Sequence, residues 1–288
     1  VSDLTLGVLG ATSLVGRSIL TSLSKSNSCR LYAYSRTPHQ ITDHINWRSI
    51  PEHIEQPETI QNWLCLAPIW VLSDYFDLLE QHQIKRIVAL SSTSRYTKTQ
   101  STDPAEQELV HRIIVAEEKL QAWAGSKNIE WIILRPTLIY GYGKDTNISE
   151  IARFIKRFGC FPLFGKARGL RQPIHADDVA SACLAALKTK HISNKAYNIA
   201  GAEKLTYRDM VTRIFLVLNK HPRLITVPIG AFQIALFFLR VIPRYKNWKP
   251  AMAERMNQDL AFDCSEAERD LGFKPRAFVL SGQDLPRE

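Results

Sequence analysis

The sequence predicts an α/β fold, a doubly wound parallel sheet with a smaller, mainly helical C-terminal domain. Three observations carry this. Short apolar runs alternate with longer amphipathic ones through the first half, and strands separated by helices pair in parallel through right-handed crossovers. A glycine-bearing turn, GATSLVG (10–16), joins the first strand to the first helix. From about residue 203 the alternation fades, and 203–288 reads as mostly helical with Pro-rich connections.

LTLGVLG (4–10) is the first strand and 15–25 the first helix. RLYAYS (30–35) is the second strand and 45–50 a weak third. WLCLAP (63–68) is the fourth, followed by a helix over about 71–82. RIVALSS (86–92) and EWIILRP (130–136) are the fifth and sixth. The helix between them has readable ends. Asp103 caps it, Pro104 suits its first position, Glu106 completes a capping box and Gly125 stops it. Leu109, Ile113, Ala116 and Leu120 form its apolar stripe. Asp177–Leu187 is a further helix and AYNIAG (196–201) a further strand. The first domain then spans 1–143 plus about 177–201, and the smaller one about 144–176 and 202–288.

The 288 residues are 45% apolar and 23% charged, a globular balance. The net charge of +9 is diffuse, with no run of five or more Lys or Arg. It describes a solvated basic surface or a preference for anionic ligands or membrane surfaces. No zinc-finger, basic-helix or RNA-stacking signature supports a nucleic-acid partner. Five scattered cysteines with no CxxC fit reduced thiols in a cytoplasm, without disulfides or a bound metal. The apolar stretch 224–242 is interrupted by Pro228, Gly230, Gln233 and Arg240. A span needs about 18 clean apolar residues, so this is a buried helix or a contact for a membrane surface or a protein partner. Nothing in the sequence fixes the oligomeric state.

Strand, GATSLVG and helix give the context of a dinucleotide loop. One glycine makes the tight turn, another lets the backbone approach the pyrophosphate, and a third lets helix and strand pack closely. At these residues the chain resembles the short-chain dehydrogenase/reductase superfamily, a Rossmann-type fold, in its extended or atypical epimerase/dehydratase branch. Gly10 and Gly16 match that family's GxxGxxG, and Ser13 stands at the middle glycine. CLAP (65–68), LSSTSRY (90–96), LRPTLIYGYG (134–143), QPIHADDVA (172–180) and SEAERDLGFKP (265–275) follow in the family's order. The resemblance thus covers nearly the whole chain. It implies a dinucleotide held by Gly10, Thr12, Ser13, Leu14, Val15 and Gly16, with Ser35, Arg36, Ala67, Pro68, Ser91 and Pro136. An acidic residue after the second strand would hold a ribose hydroxyl; Ser35 and Arg36 stand there instead. Arg36, assisted by Arg17, favours the 2'-phosphate of NADP(H) over NAD(H). His175 lies beside Asp177 and Asp178, which are read as caps of the next helix.

Active relatives use a Tyr and a Lys four residues apart on the helix before the sixth strand. Aligning the family's Ala-Glu pair on Ala116 and Glu117 puts Leu109 at the tyrosine position and Ile113 at the lysine position. His111, at roughly 100° per residue, lies about 200° around the helix from Leu109. The remaining candidates for chemistry are Ser92, which the family's spacing places on the active-site hydroxyl, and Tyr96 if it turns inward. Three readings stay open. One is an oxidoreductase or epimerase of non-standard type, acting on an unknown small or nucleotide-linked substrate. The second is a catalytically silent dinucleotide-binding sensor or assembly subunit, similar to the complex I accessory subunit of this superfamily. The third is a ligand binder with an empty phosphate loop.

Overall fold

The computed structural model describes residues 4–24, 29–37, 45–50, 57–97, 103–228, 230 and 254–286. The first half contains β1 (Leu4–Leu9), α1 (Leu14–Leu23), β2 (Cys29–Ser35), β3 (Ile45–Ser49) and β4 (Asn62–Cys65). A 3-10 segment, Ile69–Tyr75, leads into α2 (Phe76–Gln81), β5 (Arg86–Leu90), α3 (Ser94–Thr97), α4 (Pro104–Ser126) and β6 (Glu130–Pro136). Next come β7 (Ile139–Tyr140), α5 (Ile148–Phe158), β8 (Phe161–Phe164), β9 (Leu170–Arg171), β10 (Ile174–His175) and α6 (Ala176–Lys188). Last are β11 (Lys195–Ile199), β12 (Leu205–Thr206), α7 (Tyr207–Val217), β13 (Leu224–Val227) and α8 (Ser265–Leu271).

Seven strands form one sheet in the order β11-β6-β5-β4-β1-β2-β3, and every neighbouring pair is parallel. The chain winds outward from β1 in one direction and then, from β4, in the other. Strand alternation gives each face its own core. Leu6, Val8 and Val88 pack with Val15 and Ile19 of α1 and with Val179 and Cys183 of α6. Leu9, Trp63 and Ala89 pack on the opposite face with Leu72, Leu79 and Leu120. Gly7 makes room there, since a Cβ on it would lie 2.5 Å from the Trp63 ring on the neighbouring strand. A third core joins α5 to α7 through Ile148, Ile155, Met210 and Phe215. It lies with three small two-stranded sheets, β7 with β10, β9 with β12 and β8 with β13.

Several local expectations are corrected. The helix expected over 71–82 begins as a 3-10 segment, and only Phe76–Gln81 is α-helical. Gly125 does not stop α4, which continues through Ser126. The left-handed turn falls on Asn128 instead (φ 55°), an asparagine being the usual alternative to glycine there. Asp103 does cap α4, accepting from the Ala105 amide at 3.1 Å. Within 224–242 the first four residues are strand β13, paired in parallel with β8. The β-branched run Ile225-Thr226-Val227 favours a strand there. Of the buried helix expected over 224–242, residues 229 and 231–242 lie outside the described residues. Among the described residues no helix is long and apolar enough to cross a membrane.

Candidate functional site

The order of the sheet sets where a ligand can sit. In open α/β sheets the crevice opens at the carboxyl ends of the strands, where the winding reverses. Here that point lies between β1 and β4. The loop after β1 is built on Gly10, whose φ of +77° suits glycine and whose Cβ would lie 2.4 Å from the Ala67 backbone nitrogen. The loops after β1 and β4 therefore touch backbone to backbone. Gly16 is tight for the same reason, with a Cβ 2.5 Å from the carbonyls of Gly10 and Ala11. Ser13, in the middle position, has φ −64° and ψ 167°, so its backbone needs no glycine. Its hydroxyl caps α1 by accepting from the Gly16 amide at 3.0 Å. The first amides of α1, at Leu14 and Val15, have no intrahelical acceptor by helix geometry. Thr12 faces Arg17, whose Nε donates to the Thr12 carbonyl at 3.2 Å.

A cleft of about 860 Å³ opens at this point. Ser13, Leu14 and Val15 form one wall, Ala67 and Pro68 another, and Ser91, Ser92 and Pro136 a third. Lys144, Asp145 and Gln172, from the segments flanking α5 and β9, also line the cleft. Ser35 and Arg36 lie beyond its lining. Ser35 is buried and its hydroxyl meets that of Thr37 at 3.1 Å, while Arg36 is exposed.

The two positions expected to hold tyrosine and lysine part company. Ile113 is 2% exposed and lines the cleft. Leu109, one turn earlier, is half-buried and lies outside the lining. His111 is exposed, away from the cleft. Tyr96 does not turn inward. It is 45% exposed, its hydroxyl accepts from Arg135 Nη1 at 2.7 Å, and its ring rests near Phe262. Ser92 lines the cleft, with its hydroxyl accepting from the Ser94 amide at 3.1 Å. The charged residues in the lining are Lys144, Asp145, Arg171 and Arg255. Asp145 caps α5, accepting from the Asn147 and Ser149 amides and the Ser149 hydroxyl. Arg171 donates to the carbonyls of Leu170, Gln258 and Arg255, and burial pulls its pKa down to about 10. Arg255 pairs with Glu106 at 2.9 Å. Lys144 has an exposed side chain and no ion pair among the described residues.

Behind the third wall lies a group that the sequence reading used only as an alignment marker. Glu117 is 0% exposed. Arg135 grips it bidentately, at 3.0 Å from Nε and 2.6 Å from Nη2, and Arg95 pairs with the same carboxylate. The Ser91 hydroxyl donates to its other oxygen. Burial works against the Arg135 charge, but Glu117 more than offsets this and raises the guanidinium pKa. A signal was present, because a carboxylate on the apolar stripe of a helix requires charged partners.

A second polar group fixes the loop from β7 to α5. His175, not Asp177 or Asp178, caps α6, its Nδ1 accepting from the Asp177 amide at 3.2 Å. With Nδ1 accepting, the ring proton sits on Nε2 and faces Asp284 at 3.1 Å. Asp284 also accepts from the Tyr142 amide and from the Ser281 amide and hydroxyl. Asp178 takes Arg276 instead. Burial alone would raise the Asp284 pKa, but the His175 and Ser281 hydrogen bonds hold it at about 2. The folded value lies below the unfolded one of about 3.9. The stabilisation is therefore present above about pH 4 and is lost as pH falls through the folded value. Asp284→Asn is expected to lower the thermal midpoint at neutral pH, with the gap to the parent closing between about pH 4 and pH 2. Thermal melts across that range check this.

Residues 71–200 match the NAD dependent epimerase/dehydratase family. UDP-glucose 4-epimerase of Vibrio cholerae is 22% identical over 167 residues, covering 58% of this chain and 48% of that protein. The mitochondrial NADH dehydrogenase [ubiquinone] 1 alpha subcomplex subunit 9 of Arabidopsis thaliana is 30% identical over 100 residues, 34% of this chain and 25% of that one. This chain thus spans under half the length of these curated relatives. Among solved structures, UDP-glucuronic acid 4-epimerase from Bacillus cereus, in complex with NAD, superposes with a TM-score of 0.67 at 16% identity. It covers 97% of this chain and 95% of its own. Residues 71–200 thus match the NAD dependent epimerase/dehydratase family model, and the chain as a whole carries the fold seen in the solved epimerase structures.

Proposed function

We propose that this chain binds a nicotinamide dinucleotide in the cleft between β1 and β4 and does not run the Tyr-Lys proton relay. The observation that carries this reading is Ile113, an apolar side chain lining the cleft at the position aligned with the lysine. The residues present fit the cofactor. Gly10 and Gly16 leave a cradle that a Cβ would fill, and the start of α1 offers amides and a partial positive charge to a pyrophosphate. Ala67 and Pro68 would lie along the adenosine side, and Ser91, Ser92 and Pro136 toward the nicotinamide. The nicotinamide would supply hydride chemistry when bound; the chain's part is to hold and orient it. Arg36 supports NADP(H) over NAD(H), since no carboxylate follows β2 to receive a ribose hydroxyl. The binding unit is 1–143 with about 177–201, and the remainder presents a small-molecule substrate or a partner to the cleft. Fluorescence titration with NADPH and NADH tests this. Saturable binding, tighter for NADPH, is expected; tighter NADH would sink the role of Arg36.

Ser13 tempers the affinity. Its hydroxyl occupies the Gly16 amide that a phosphate oxygen would otherwise use. Ser13→Gly is expected to tighten dinucleotide binding several-fold. Stability should fall by only a few tenths of a kcal/mol, the usual cost of replacing a serine cap with glycine. The same fluorescence titration, paired with a urea melt, reads both quantities.

A second reading is supported by the match to the Arabidopsis complex I subunit. In that reading the bound dinucleotide stabilises a subunit for assembly. Exposed Ile225 on β13 (53%), at the start of the apolar stretch 224–242, would contribute to a membrane-surface or protein contact.

A further inference from the structure

The opposite end of the sheet carries a second basin, of about 810 Å³. It lies at the amino ends of the strands. Asn62, Arg86 and Glu130 are the first residues of β4, β5 and β6, and all three line it. Lys188 and Lys190 reach it from the end of α6, and Lys85 from the turn before β5. It is a separate space from the cleft, with no lining residue in common.

The charges do not balance. The lining holds four cations, Lys85, Arg86, Lys188 and Lys190, against one carboxylate, Glu130. Arg86 already pairs with Glu130. Its other terminal nitrogen donates to the carbonyls of Ala186, Thr189 and Ile192 at 2.7–2.8 Å. That guanidinium therefore satisfies both the acid and the carbonyl end of α6, tasks that would otherwise account for the lysines. The three lysines are exposed and have no ion pair among the described residues. Arg86 is 5% exposed, and its Nε is buried with no hydrogen-bond acceptor. Neutral donors complete the surface, the amides of Asn62 and Asn128 and the hydroxyl of Thr5.

We infer that this basin is a binding site for a small, multiply charged phosphate-bearing anion. Three ammonium groups around one concavity repel each other until an anion enters. Point-charge ammoniums with neutral donors between them suit phosphate oxygens better than a single carboxylate. Nothing in this inference depends on the dinucleotide reading, because the residues belong to the other end of the sheet.

Calorimetric titration with sodium pyrophosphate, at ionic strength matched with sodium chloride, tests it. The parent is expected to bind, and K85A/K188A/K190A to bind at least ten-fold more weakly with an unchanged thermal midpoint. Equal affinity in the triple variant places the pyrophosphate elsewhere and overturns the proposal, as does no binding to the parent. Vesicles of phosphatidylcholine with and without a phosphoinositide form a second arm. Binding to the phosphoinositide vesicles alone, without pyrophosphate binding, assigns the basin to a membrane surface and likewise overturns the small-ligand site.

Discussion

Glu117→Ala is expected to destabilise the protein by about 3–5 kcal/mol, the usual cost of breaking a buried ion pair from one side. The parent carboxylate is fully buried and neutralises parts of two guanidiniums. Its loss leaves Arg135, with 12% of its side chain exposed, holding a charge with no carboxylate beside it. It also leaves the Ser91 hydroxyl without the acceptor it now has, and Ser91 lines the cleft. Dinucleotide affinity should therefore fall together with stability. Glu117→Gln separates the two effects. It keeps an oxygen for Ser91 but removes the charge, so stability should fall while the third wall keeps its shape. Urea unfolding monitored by tryptophan fluorescence gives the free energies. A change below about 1 kcal/mol for Glu117→Ala, the scale of an exposed pair, would show that the network is solvated.

Gly10→Ala is expected to abolish detectable dinucleotide binding. The added methyl would lie 2.4 Å from the Ala67 nitrogen and 2.7 Å from the Leu66 carbonyl carbon, both rigid backbone. The left-handed φ of +77° adds strain, about 1–2 kcal/mol for a residue with a Cβ. The relief is for the β1 and β4 loops to separate, which moves the amides of α1 away from Ala67 and Pro68. Fluorescence titration should then show no saturation, while circular dichroism keeps the parent spectrum. Unaltered affinity would mean that the dinucleotide does not sit over this turn.

The sheet was legible because its signals are local. Each strand is a short apolar run, and the first turn carries its glycines within seven residues. The place of Ile113 on the cleft was expected from the family resemblance, and helical periodicity then turned His111 outward. The cleft boundary follows from neither. Leu109 shares a stripe with Ile113, yet it falls outside the lining, because where the cleft ends depends on loops far away in sequence. Glu117 illustrates the same limit. Its charge on an apolar stripe announced partners, but Arg95 and Arg135 come from α3 and β6, and only the crossover brings them together. His175 replaced the expected Asp caps because its ring is held between the Asp177 amide and Asp284, 109 residues away. The strand at Leu224–Val227 was hidden inside a longer apolar run. Its pairing with β8 is a contact no periodicity contains.

Hydrogen–deuterium exchange with and without saturating NADPH tests the central claim most directly. Protection is predicted in the turn after β1 (10–16), the loop after β4 (66–70) and the ends of β5 and β6 (90–93 and 136–139). The amino ends of the strands should be unaffected. No protection at 10–16, or protection confined to the smaller core, would contradict the account.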